Sequence, residues 1–106
     1  MDIDKALGGA IRQARMSVGL SQEALEGVSR TYISVLELGK KSARVEKVDA
    51  IARGLKLHPL SILALTYADL EGADLDDLLS VVKSEIVNIR AQSQDGKKYG
   101  YLKSQG

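Results

Sequence analysis

The chain has no cysteine, no phenylalanine and no tryptophan, and it has one proline among its 106 residues. Without cysteine there can be no disulfide and no thiolate metal site, which fits a reducing compartment. Without Phe or Trp the core must be assembled from Leu, Ile, Val and Ala. Such a core favours helices in close contact over an aromatic-rich β-sandwich. No run approaches the ~18 consecutive apolar residues of a membrane span. Met1-Asp2-Ile3-Asp4 is acidic and lacks the pattern of a secretory signal. His58 is the only histidine. With no cysteine to pair with, and standing between Leu57 and Pro59, it reads as a turn residue and not as a member of a catalytic triad. Asp74-Leu75-Asp76-Asp77 lacks the spaced oxygens and central glycine of a calcium loop. Gly8-Gly9 does not follow a strand, so it is no phosphate cradle. The expectation is a non-enzyme with no cofactor and no metal.

What is present is ordinary in bulk and uneven in distribution. A hydrophobic fraction of 44% suits a soluble globular chain, and the length suits one small domain with an appendage. The formal net charge is only +1. Residues 30–56 nevertheless hold Arg30, Lys40, Lys41, Arg44, Lys47, Arg53 and Lys56 against Glu37, Glu46 and Asp49. Residues 69–85 hold six acidic side chains against Lys83. One part of the chain is basic and another acidic, although solvated faces would look the same.

Apolar spacing divides the chain into helices. Leu7, Ile11, Ala14 and Val18 predict a first helix over 4–18, weakened by about 1 kcal/mol at each of Gly8 and Gly9 relative to Ala. Leu20 before a Ser21 cap, with Leu25 four residues past it, has the form of a hydrophobic staple and predicts a very short second helix over 21–26. A third is expected over 30–38 and a fourth over 45–54, the latter with Val48, Ile51, Ala52 and Leu55 inward. Pro59 suits the first turn of a fifth helix, which carries Leu60, Ile62, Leu63 and Leu65 as far as Tyr67 or Ala68. After it, Leu75, Leu79, Val82, Ile86 and Ile89 recur at spacings of four and three. That is the a/d seam of a coiled coil over about two heptads. This amphipathic helix either pairs two copies or folds onto the core of its own chain. The polar tail 91–106 is expected to lack structure. Within it, Lys97-Lys98-Tyr99-Gly100-Tyr101-Leu102-Lys103 mixes basic and aromatic residues and leaves open a DNA arm or partner segment. The expected divisions are 1–68, 69–90 and 91–106.

The stretch 27–40 is the most specific. Gly27 supplies the positive φ of a turn between helices, and Ser29 is placed to cap the next helix. Val28 before that cap and Ile33 four residues past it form a second staple. Ile33 and Leu36 face inward, with Val35 at the edge of that face, leaving Arg30, Thr31 and Ser34 outside. A short helix presenting Arg, Thr and Ser outward suits insertion into a DNA groove.

Leu7-Gly8, Ile11-Arg12, Arg15, Gly19-Leu20-Ser21-Gln22-Glu23, Leu25, the run from Gly27 to Ser34, Glu37, Gly39-Lys40 and Ile51-Ala52 together resemble the Xre/Cro/phage-repressor family of helix-turn-helix transcriptional regulators. The resemblance covers about residues 4–68. It implies an all-α protein: a five-helix repressor-like helix-turn-helix bundle, here followed by the C-terminal amphipathic helix. It implies double-stranded DNA as partner and a homodimer. Arg30, Thr31, Ser34 and Val35 match the positions that face bases. Gln22, Tyr32, Lys40, Lys41 and Arg44 match positions that contact the DNA backbone. Arg15 and Glu37 match a structural ion pair. Two departures stand out. Between Ser21-Gln22-Glu23 and Gly27 this chain has about three residues fewer than the family, a loss that shortens the second helix by roughly 4.5 Å and turns its phase by about 60°. Ala43-Arg44 stands where the family has Pro-Ser, adding a charge and losing a cap.

The expected function is sequence-specific DNA binding by a transcriptional regulator. It would be a homodimeric repressor on a pseudo-palindromic operator, joined through Leu75, Leu79, Val82, Ile86 and Ile89. Its setting would be the cytoplasm, bacterial or phage-encoded. The alternative is an antitoxin or protein-interaction module with weak or secondary DNA binding. The short second helix and the near-zero net charge motivate it, and it requires a protein partner.

Overall fold

The structure is a computed structural model and describes residues 1–97. Those residues form five α-helices, one 3-10 turn and no strand. Helix α1 spans Ile3–Ser17, the 3-10 turn Gln22–Ala24, α2 Arg30–Glu37, α3 Val45–Gly54, α4 Pro59–Glu71 and α5 Leu75–Lys97. The chain divides into a compact unit, Met1–Leu75, and a second unit from Asp76 onward.

In the first unit α1 packs against α4 and α2, while α3 packs against α4. Leu7, Ala10, Ile11 and Ala14 of α1 meet Ile33 and Leu36 of α2, with Val48, Ile51, Ala52 and Leu55 around α3 and Ile62 of α4. Ile11, Ile33, Leu36, Ile51 and Ile62 are fully buried. Burying each such side chain stabilises the fold by about 1.5–3 kcal/mol relative to leaving it in water, so this aliphatic cluster holds the bundle together. Val18 is not part of it. It caps the end of α1 and is exposed, because the helix stops at Ser17 and Gly19, at φ +74°, turns the chain away before Val18 can join the packed face. Asp2 fixes the start of the helix by accepting a hydrogen bond from the Lys5 amide at 2.8 Å.

Gly8 is a requirement and not a weakness. A Cβ there would overlap the Leu36 carbonyl oxygen and stand 2.9 Å from that of Glu37. The side-chain-free position lets α1 cross the C-terminal turn of α2 at backbone contact. Gly9, by contrast, faces open space.

The expected second helix is reduced to a single 3-10 turn. Ser21 adopts the extended backbone of a cap but makes no side-chain cap bond. Three residues cannot close a series of i to i−4 bonds, so the i to i−3 pattern, Ala24 N–H to Ser21 O at 3.2 Å, takes over. Leu25 then drops into the core and anchors the turn.

Helix α4 runs on to Glu71, beyond the expected 67–68, and ends at Gly72. His58 caps its start: Nδ1 accepts the Leu60 N–H at 3.0 Å, with Pro59 at the next position. Of the expected apolar residues, Ile62 is buried, Leu63 and Leu65 are half-buried, and Leu60 points to solvent. Thr66 is buried as well and donates its hydroxyl proton to the Ile62 carbonyl at 2.7 Å.

Helix α5 continues through Lys97. Residues 91–97, expected to be part of an unstructured tail, therefore extend the helix. The remainder of that tail, 98–106, with most of its basic-aromatic stretch, lies outside the described residues. Asp76 and Asp77 lie in the first turn, where carboxylates complement the helix dipole. Leu75, Leu79, Val82, Ile86 and Ile89 are each 40–65% exposed.

Candidate nucleic-acid interface

Helix α2 begins where the sequence implies. Gly27 has φ +77°, a conformation costly for any residue with a Cβ. Ser29 Oγ accepts the Tyr32 N–H at 3.1 Å, satisfying one of the four orphan donors of the helix start. Val28 packs against the core cluster that contains Ile33. The buried positions Ile33 and Leu36 fix the rotation of the helix. That rotation leaves Arg30 and Thr31 exposed, with Ser34 and Val35 half-buried beside them.

The inner side of α2 is locked to α1 by an ion pair. Arg15 Nε lies 2.7 Å from Glu37 Oε2, with side chains only 11% and 4% exposed. A second guanidinium nitrogen, Nη2, donates to Glu37 Oε1 at 2.9 Å, and Nη1 donates to the Leu20 carbonyl at 2.7 Å. The Gln22 amide also donates to Glu37 Oε1, at 3.0 Å. One carboxylate thus ties together α1, the 3-10 turn and α2. Burial opposes the charge on Glu37 more than any other single effect. The hydrogen bonds from Arg15 and Gln22, with the charges of Arg15 and Arg12, together outweigh it and hold the carboxyl below its ordinary pKa of 4.5. The hydrogen bond to Glu37 raises the Arg15 pKa against the opposing effect of burial.

Gln22 therefore has one amide proton committed inside this network. Its carboxamide nitrogen carries two, and the residue is partly exposed. Arg30 Nε lies 3.1 Å from Glu23 Oε1 at the surface.

Beyond α2 the chain becomes basic. Lys40, Lys41 and Arg44 are all exposed. Arg44 lies 3.8 Å from Glu46 in an open ion pair, and it occupies the cap position of α3 without a side-chain cap bond. The Tyr32 ring, partly buried, sits beneath two ammonium groups: Lys41 Nζ at 5.4 Å from its centroid and Lys47 Nζ at 5.9 Å. Both distances lie within reach of a cation–π attraction. Apolar periodicity gives no sign of Lys47, because it lies 15 positions from Tyr32 and only the packing of α3 brings the two together.

An amphipathic α2 carried on an Arg–Glu clamp, preceded by a glycine turn and followed by exposed cations, is the arrangement of a helix-turn-helix. Residues 11–62 match the family model described as helix-turn-helix. Residues 11–62 belong to the helix-turn-helix family. Among solved structures it is similar to the clp gene regulator ClgR from Corynebacterium glutamicum, at 23% sequence identity and a TM-score of 0.60. That likeness spans 88% of this chain and 95% of the other and speaks to the fold. A comparison with curated proteins found no match. Helix-turn-helix membership makes the chain a DNA-binding protein of the class that regulates transcription. Among the described residues no helix is long and apolar enough to cross a membrane.

Proposed function

We propose that this helix-turn-helix protein is a homodimeric repressor that reads a pseudo-palindromic operator with α2 in the major groove. The observation that carries the reading is the exposed end of α2, with Arg30 and Thr31 open to solvent beside the exposed cations Lys40, Lys41 and Arg44. In this docking Arg30 grips guanine O6 and N7, Thr31 and the Val35 methyls meet a thymine methyl, and Ser34 hydrogen-bonds a base edge. Lys40, Lys41 and Arg44 neutralise phosphates, and Tyr32 and the second amide proton of Gln22 reach the same backbone. Such contacts set register and salt dependence, not sequence.

Dimerisation is assigned to α5. Its seam, Leu75, Leu79, Val82, Ile86 and Ile89, is a row of apolar residues left in water, and a second copy would bury it in knobs-into-holes packing. A two-fold dimer places two recognition helices one DNA turn apart, about 34 Å. Occupancy of such a site within a promoter represses by excluding polymerase.

Selection from a pool of random duplex DNA by the purified chain at near-physiological salt tests this reading. The expected product is a two-fold symmetric site with half-site centres about 10–10.5 base pairs apart, or a multiple of that spacing. Enrichment of no sequence, with only salt-sensitive uniform binding, would instead favour a protein-interaction module with secondary DNA binding.

A further inference from the structure

The contact between Glu23 and Arg30 joins the 3-10 turn to the first residue of the recognition helix. It is an open pair, with side chains 71% and 62% exposed. Exposed ion pairs of this kind contribute little to folding, so stability does not explain it. Its geometry does have a use. The carboxylate meets the guanidinium at Nε, and that leaves the two terminal nitrogens to form the planar fork that matches guanine O6 and N7. A long arginine side chain loses rotamer freedom when it is fixed in a groove. A partner that already restrains it reduces that cost and narrows the directions in which the fork points. The short 3-10 turn contributes directly, because a full helical turn at 22–26 would shift the phase of residue 23 relative to α2. Gln22 of the same turn is bound to Glu37 at 3.0 Å, which restrains the backbone that carries Glu23.

We infer that Glu23 is a positioning residue for base recognition: it aims Arg30 at a guanine and sets how strongly that one base pair is preferred. The inference rests on the DNA-docking reading above. Its cost is a negative charge beside DNA, which weakens binding to every sequence by repelling phosphates. Glu23 therefore exchanges overall affinity for discrimination, and removing it is expected to move the two in opposite directions.

The test is the binding of full-length wild-type, Glu23→Ala, Glu23→Gln and Arg30→Ala chains to the selected site and to its single-base variants, at fixed salt. Melting curves confirm that each variant is folded. Wild type is expected to prefer guanine at the position lost in Arg30→Ala by about fivefold or more. In Glu23→Ala that preference falls by about threefold or more, while binding to unrelated sequences is unchanged or tighter. Glu23→Gln keeps an oxygen at the same reach and falls between the two. The double variant Glu23→Ala with Arg30→Ala discriminates no worse at that position than Arg30→Ala alone. A Glu23→Ala chain whose affinity changes equally for all bases at that position overturns the assignment while leaving the docking reading intact. A wild-type chain that selects no site overturns both.

Discussion

Glu37 shows how much of the interface depends on one side chain. It is nearly buried, and it holds Arg15 and Gln22 through three hydrogen bonds. Its carboxyl is held below the ordinary value of 4.5, so in the folded protein it stays ionised at pH values where an unfolded chain would take up a proton. The stability this adds is present in full above about 4.5 and is lost as pH falls through the lower, folded value. Glu37→Gln leaves the Arg15 charge without its partner and is expected to cost about 3 kcal/mol at neutral pH. The stability gap between wild type and variant should then narrow as the pH is lowered past about 4.5. Urea unfolding at a series of pH values measures this, and a gap that stays constant from pH 7 to pH 3 would contradict it. The motif made the Arg15–Glu37 pairing legible in the sequence. The engagement of Gln22 was not, because the residue-type pattern at 21–23 is equally compatible with a side chain facing outward to phosphate. The contacts of Glu23 and Lys47 were not legible for a related reason. Each acquires its partner only through packing between elements that lie 7 and 15 positions apart in the chain.

Among the elements, the cap and turn before α2 form as their chemistry implies, whereas Ser21 makes no cap bond and several helix lengths differ from their apolar spacing. Ser29 and Gly27 fix the start of α2 in the structure as their chemistry implies, and Val48, Ile51, Ala52 and Leu55 face the core from α3 and its end. The segment at 21–26 has a staple and a serine in the right places, yet forms only a 3-10 turn. Local signals mark where a helix can begin, but the distance to the next turn decides whether it can propagate. Helix propensity counts Gly8 as a cost because it contains no information about the neighbouring helix that passes over it. The end of α3 holds a further position of this kind. Lys56 has φ +61°, the only positive φ outside glycine among the described residues, and the turn is closed by the Leu57 amide donating to the Ala52 carbonyl at 2.8 Å. This is the site of a helix-terminating glycine, filled by a residue with a Cβ. Lys56→Gly is expected to stabilise the protein by up to about 1 kcal/mol, a rise of about 4–8 °C in melting temperature for a domain of this size. An unchanged or lower midpoint would show that the lysine side chain compensates for its backbone strain.

At the scale of the whole molecule, the all-helical class followed from an aliphatic core and 3.6-residue spacing, and the helix-turn-helix membership followed from ordered motifs across 4–68. The proposed dimer rests on α5. The a/d spacing identified its apolar face, and the structure leaves that face exposed. Leu79→Asp with Ile86→Asp places two charges in the proposed seam. It is expected to convert a dimer into a monomer by sedimentation and to abolish tight binding to a symmetric site while the first unit stays folded. Sedimentation identical to wild type would remove α5 from the dimer.

In the proposed docking α2 reads bases while the basic segment after it grips phosphates. A paired salt titration of Arg30→Ala and Lys40→Ala, on the selected site and its single-base variants, tests it most directly. Arg30→Ala should lose about 1–3 kcal/mol at one base position and relax the preference there. Lys40→Ala should weaken all sequences alike and lower the slope of log affinity against log salt by about one unit. If Arg30→Ala instead weakens every sequence equally and lowers the slope as Lys40→Ala does, α2 does not read bases through Arg30.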